Sequence, residues 1–108
     1  MYESKKITEI YAVYNVDAVN TLSMICGKWK LNILYSLRGG AKRFNALQRE
    51  LMVSPRTLSI QLKKLEQSQI VVRKVYMQMP LKVEYSLSDI GETLIPILGL
   101  LEKWSTQY

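Results

Sequence analysis

The sharpest constraint in this sequence is the break at Met52-Val53-Ser54-Pro55. A serine hydroxyl accepts well from a first-turn amide, and proline is tolerated at the first helical position, where its missing N–H has no partner anyway. A new helix therefore starts at this point and is expected to run to about Gln67. Within it Leu58, Leu62 and Leu65 fall four and three residues apart, on one face, and that face must be buried. Before the break, Asn45 stands where it would cap a brief helix over 45–51, with Leu47 and Leu51 inward. Two short helices joined by so tight a turn form a helix-turn-helix.

Two further helices are expected ahead of this pair. Over 17–25, Ala18, Val19, Leu22 and Ile25 recur at helical spacing, with Asp17 as the cap. Over 28–38, Trp29, Ile33, Leu34 and Leu37 make the apolar face, and Gly39-Gly40 stop the helix. Arg43-Phe44 reads as a very short strand. Behind the helix-turn-helix the period changes: 71–76 and 83–87 alternate as half-buried strands do, joined by 77–82 with Pro80 as turn residue. Ser88 or Asp89 then caps a long last helix bearing Ile90, Leu94, Ile97, Leu98, Leu101 and Trp104, with a kink expected at Pro96. Four helices, a hairpin and a helix make a mainly α chain with a small β-hairpin (α+β), in winged helix-turn-helix order. The expected division is an N-terminal arm over 1–15, the winged domain with its terminal helix over 16–104, and a tail over 105–108.

Charge points the same way. Between Lys28 and Lys82 twelve lysines and arginines face two glutamates, a charge of +10, while the flanks carry −4. A basic middle between acidic ends suits a polyanion. The chain has no histidine and one cysteine, so it lacks the commonest general base and cannot assemble a cysteine–histidine metal site. With no glycine-rich phosphate loop or paired-carboxylate site either, the chain is read as no enzyme, needing no cofactor or metal. One cysteine also fits a reducing compartment, and no apolar run is long enough for a membrane span, so a cytoplasmic protein without a membrane partner is expected.

The leucines leave Arg56, Thr57, Ile60, Gln61 and Lys64 on the opposite face of the 54–67 helix. In such a motif the second helix lies in the major groove, with its N-terminal residues against base edges. Arg56 suits a guanine edge, Gln61 an adenine edge, and Ile60 a thymine methyl or, alternatively, a rim of the core. Lys63 and Lys64 suit phosphate, and Ser54 caps first and touches phosphate in addition. On the hairpin, Arg73 and Lys74 at the base and Lys82 at the tip are the wing's candidate contacts. Apolar residues of the last helix exceed what one small domain can cover, which marks an interface. Val19, Leu22, Leu94, Ile97, Leu98, Leu101 and Trp104 are the candidate dimer surface, dimeric through the terminal helices. A two-fold dimer reads a palindrome with helices about one turn, ~34 Å, apart.

Gly27-Lys28-Trp29, Arg43-Phe44-Asn45, Leu62-Lys63-Lys64-Leu65-Glu66 and the run from Val83 to Gly91 (Val-Glu-Tyr-Ser-Leu-Ser-Asp-Ile-Gly) occur in the order and spacing of one family. Over about 16–104 the chain resembles the HxlR family, bacterial MarR-like winged-helix regulators. The resemblance implies a homodimer joined through its terminal helices that binds double-stranded operator DNA near promoters, and it brings no catalytic residue. Three positions depart from it. Val16 stands where many relatives place a redox-sensing cysteine, Cys26 where glycine is common, and Gln69 where glycine usually ends the recognition helix. A left-handed backbone at Gln69 would cost about 1 kcal/mol. Cys26, beside Lys28, is the candidate sensor of an oxidant or small-molecule signal, against the reading of a small buried hydrophobe.

The competing function is a winged helix that contacts protein without specific DNA binding, which calls for a neutral or apolar 54–67 helix. An RNA-binding winged helix shares the phosphate contacts, but only Tyr76 and Tyr85 of the seven tyrosines lie on the hairpin to stack bases.

Overall fold

The computed structural model describes residues 17–108, so the expected N-terminal arm and the Val16 position lie outside the described residues. Helical residues 17–23 (α1) lead into α2 (Lys28–Leu37), β1 (Lys42–Arg43), α3 (Phe44–Leu51), α4 (Pro55–Gln67), β2 (Val71–Tyr76), β3 (Lys82–Leu87), α5 (Asp89–Glu92) and α6 (Ile95–Ser105). The strands form one antiparallel sheet in the order β1-β3-β2. This is the winged helix-turn-helix order, with α3 and α4 as the helix pair and β2–β3 as the wing.

The core lies where the leucine spacing puts it. Ile33, Leu34 and Leu37 of α2 meet Leu47 of α3, Leu58, Leu62 and Leu65 of α4, and Ile70, Val71, Leu87 and Leu98 from beyond the helix pair. Each such side chain contributes roughly 1.5–3 kcal/mol on burial, so this cluster sets the position of α4. Ser54 caps α4 by accepting from the Thr57 amide at 3.1 Å, with Pro55 in the first turn. Close by, the buried Ser36 hydroxyl bonds the Glu50 carboxylate, and the Lys42 ammonium donates to Ser36 Oγ at 2.9 Å and to Glu50 at 2.9 and 3.0 Å. This triad ties α2, β1 and α3 together and consumes one of the two acidic charges of the basic stretch.

Three elements differ from expectation. The last helix is two helices, α5 and α6, because Pro96 sits in the first turn of α6 and starts it instead of kinking it. Proline there needs no amide donor, whereas inside a continuous helix it would lose a bond and clash with the preceding turn. Asn45 is not the cap of α3: the helix opens at Phe44 with Arg43 extended before it and no side-chain cap. Pairing of Lys42 and Arg43 with Tyr85 and Glu84 of β3 fixes that start, and it also moves the short strand back one residue. The alternation expected in β2 is absent, since Val72, Arg73, Lys74 and Val75 are all exposed. β2 is the outer strand of the sheet and only its root, Val71, is buried, whereas β3, between β1 and β2, is half-buried along its length. Lys82 belongs to β3, opposite Tyr76, and not to the loop at the tip.

The turn after α4 adopts the backbone that the family's glycine would favour. Gln69 has a φ of 62°, left-handed, with its amide donating to the Glu66 carbonyl at 2.9 Å and that of Ile70 to Leu65 at 3.0 Å. The segment 88–91 clamps it. Ser88 Oγ donates to the Gln69 carbonyl at 2.7 Å and accepts from the Gly91 amide at 2.9 Å, capping α5. Gly91 is buried so close to the Ile70 carbonyl that a Cβ there would overlap it.

Candidate nucleic-acid interface

The face of α4 opposite its leucines carries the predicted reading residues. Arg56, Lys63 and Lys64 are exposed, and Thr57 and Gln61 are half-buried at its edges. Ile60 is 43% exposed, so it is a surface residue and not a rim of the core. Ser54 is occupied as a cap, and its hydroxyl also donates to Thr57 Oγ1 at 2.9 Å. That bond orients Thr57 in the first turn of α4.

The wing root comes alongside this helix. Ser59, Lys63, Glu66 and Gln67 of α4 and Arg73 and Tyr85 of the wing line one cleft of about 390 Å³. The pairing of Arg73 with Tyr85 across β2 and β3 brings both to that side. Lys63 and Arg73, ten residues apart in the chain, thus share one concave strip. Ser59, one α4 turn before Lys63, is a member that the sequence reading missed; Tyr85 is read from sequence only as a base-stacking residue on the hairpin, and its place beside Arg73 follows from the hairpin register.

Among the described residues no carboxylate pairs with Arg56, Lys63, Lys64, Arg73 or Lys74, while Arg38, Lys42 and Lys82 pair with Glu102, Glu50 and Glu84. Lys82 is therefore the weakest of the three expected wing contacts: its ammonium lies 3.5 Å from Glu84 and 4.8 Å from the Tyr76 ring centre. Lys74 lies over the same ring at 5.0 Å.

The terminal helices separate into two faces. Val19, Leu22, Ile97, Leu101 and Trp104 are exposed, and Leu100 joins them. Leu98 does not: it is 1% exposed, packed into its own core, and its carbonyl accepts from the Tyr35 phenol at 2.9 Å. Leu94 is half-buried against the same core. Leu98 is thereby removed from the expected dimer surface, because the side of α6 that docks on α2 is already covered. Cys26 is exposed, so the buried-hydrophobe reading does not hold for it.

Comparison with known proteins decides the family. The HxlR-like helix-turn-helix family matches residues 24–108. The chain belongs to that family. The HTH-type transcriptional regulator YdeP of Bacillus subtilis (strain 168) is 43% identical over 89 residues, covering 82% of this chain and 70% of YdeP. BH0655 of Halalkalibacterium halodurans, named likewise, is 48% identical over 89 residues, covering 81% and 79%. Among solved structures, the redox regulator HypR in its reduced form superposes with a TM-score of 0.78 at 42% identity, covering 84% of this chain and 91% of HypR. The reduced transcriptional regulator YodB of B. subtilis gives 0.76 at 32% identity, covering 82% and 89%. This HxlR-like chain is a helix-turn-helix transcriptional regulator, and α4 is the second helix of its helix-turn-helix. Among the described residues, no helix is long and apolar enough to cross a membrane.

Proposed function

We propose that the chain acts in the bacterial cytoplasm as a homodimer that reads a palindromic operator in double-stranded DNA. In this reading α4 enters the major groove and the β2–β3 wing lies along the neighbouring backbone. The carrying observation is that Arg56, Lys63 and Arg73 are exposed cations that make no ion pair among the described residues, the last two lining one cleft that Glu66 also lines. Arg56, Thr57, Ile60 and Gln61 read bases; Ser54, Lys63, Lys64, Arg73 and Lys74, with Lys82 secondary, hold phosphates. The exposed apolar side of α1 and α6 joins the two copies.

The test is fluorescence anisotropy with a duplex selected by the protein from a random library, against scrambled duplex, at two salt concentrations. With about eight phosphates contacted, affinity falls roughly 10³- to 10⁵-fold between about 50 and 200 mM salt. Arg56→Ala removes about 1–3 kcal/mol of preference for the selected duplex. Equal weak binding to both duplexes, or no salt-sensitive binding, overturns the reading in favour of a protein-contact module.

The proposed signal is an oxidant or electrophile acting at Cys26, the single cysteine, which is exposed just before α2. An exposed thiol is open to such reagents, and one of the structural relatives is a redox regulator. If Cys26→Ser protein releases DNA in diamide as the wild type does, the thiol is not the sensor.

A further inference from the structure

Beyond the last paired residues of the wing, Tyr76 and Lys82, the chain reads Met77-Gln78-Met79-Pro80-Leu81. Met77 is 88% exposed, Met79 96% and Leu81 59%, and no residue of the loop is charged. The loop is compact, with the Gln78 amide donating to the Tyr76 carbonyl at 2.9 Å. Immediately behind it the Tyr76 ring holds the ammonium groups of Lys74 and Lys82 at 5.0 and 4.8 Å. The wing thus ends in an apolar nose with Lys74 on one strand and Lys82 on the other behind it, Lys82 also lying 3.5 Å from the Glu84 carboxylate. A wing meant only for phosphate has no use for three large apolar side chains in water, each of which gains roughly 1.5–3 kcal/mol if fully buried.

We infer that this nose is an apolar wedge for the DNA minor groove: Met77, Met79 and Leu81 insert at a base step while Lys74, with the Glu84-paired Lys82 secondary, meets the phosphates at the groove edge. The inference rests on the DNA-binding reading above and deepens it. The charge arrangement selects the occupant. The minor groove is about 6 Å wide, with phosphates along both edges and base-edge acceptors on its floor, so apolar side chains gain there only by entering between the stacked base faces. Methionine, leucine and proline are the side chains that proteins drive between base steps, kinking the duplex by about 20–90°. Pyrimidine–purine steps unstack most readily, so the wedge adds specificity at a TA or CA step outside the reach of α4.

The experiment uses the full chain and a duplex of about 30 base pairs selected by the wild-type protein from a random library, end-labelled for energy transfer, with 2-aminopurine at the step facing the wing. Binding by the wild type brightens the 2-aminopurine, as unstacking does, and shortens the end-to-end distance. In Met77→Ser/Met79→Ser/Leu81→Ser protein both signals vanish and affinity falls roughly tenfold or more, the scale of one lost base-pair contact. The salt slope is unchanged, because no phosphate contact is removed. Met77→Leu/Met79→Leu protein, which keeps the apolar bulk, keeps both signals. The tip is solvent-exposed, so melting curves of all variants coincide with the wild type. Brightening and bending by the triple serine variant equal to wild type overturn the wedge; if Arg56→Ala still abolishes sequence preference, the DNA reading stands alone. A wild type that binds no duplex overturns both.

Discussion

The phenol of Tyr35 donates to the main-chain carbonyl of Leu98 at 2.9 Å and so ties α2, in the middle of the core, to α6, the helix proposed to carry the partner subunit. The Arg38–Glu102 ion pair at 2.8 Å lies beside it on the same two helices. A movement of α6 relative to the body therefore has to break a hydrogen bond at Tyr35.

Tyr35→Phe is expected to cost about 0.5–1.5 kcal/mol at neutral pH, the net worth of one such bond. Burial pushes the Tyr35 phenol above its ordinary value of 10.0, Glu102 adds to this, and Arg38 opposes it. The folded state thus binds this proton more tightly than the unfolded chain. Its contribution is complete below about pH 10 and is lost as pH rises through the folded value. Urea titrations above pH 10 should show a steeper loss of stability in wild type than in Tyr35→Phe, and parallel losses would refute the assignment.

Gly91→Ala is expected to destabilise by about 1–3 kcal/mol or more, as overpacking of a dense core does. The obstacle is the Ile70 carbonyl, a backbone atom that cannot rotate away, with Leu87 Cβ at 3.2 Å on the other side. Chemical denaturation measures it. A variant as stable as wild type would mean that α5 shifts freely on the wing root.

Gln69→Gly is expected to stabilise, by roughly 0.5–1 kcal/mol, because glycine adopts the left-handed backbone found at φ 62° without a Cβ penalty. The bond that Ser88 makes here is to the main-chain carbonyl, so it survives the change. A lower melting temperature in the variant would show that the Gln69 side chain contributes more than its backbone strain removes.

Trp104 and Leu98 should separate association from folding. Trp104, 59% exposed, is expected to weaken dimerisation about 30-fold or more on change to alanine, as buried aromatic anchors of interfaces do, with monomer stability little altered. Leu98→Ala should instead cost about 2–5 kcal/mol of fold stability. Sedimentation at several concentrations and urea titration report the two effects. An unchanged association constant for Trp104→Ala would exclude this face of α6 from the interface.

Most of the architecture was legible because it follows from local rules. Ser54-Pro55 can hardly do anything but start a helix, and Leu58, Leu62 and Leu65 have only one way to face a core together. The family motifs were legible for the same reason: the Gly91 of the 83–91 run answers to a single steric demand. What misled was also local. Pro96 allows two outcomes, a kinked helix or a new helix, and neighbouring residues alone do not choose. Asn45 has capping chemistry, yet strand pairing at Lys42 and Arg43 overrode it. Alternation in β2 suggested a buried face that this outer strand of the sheet does not possess.

The sequence by itself determined the order of elements, the buried face of α4 and the sign of the charge opposite it, because periodicity and capping act over a few residues. Only the tertiary structure decided which cations remain free. Lys42 and Lys82 are basic in sequence like Lys63 and Arg73, but folding brings Glu50 and Glu84 against the first two and an open cleft beside the others. It likewise decided that Leu98 belongs to the core and Trp104 to the surface. Lys82 and Glu84 are neighbours on one strand face, but the Lys42–Glu50 pair, the Lys63–Arg73 cleft and the Tyr35–Leu98 bond join residues eight, ten and 63 positions apart, and no local preference encodes them.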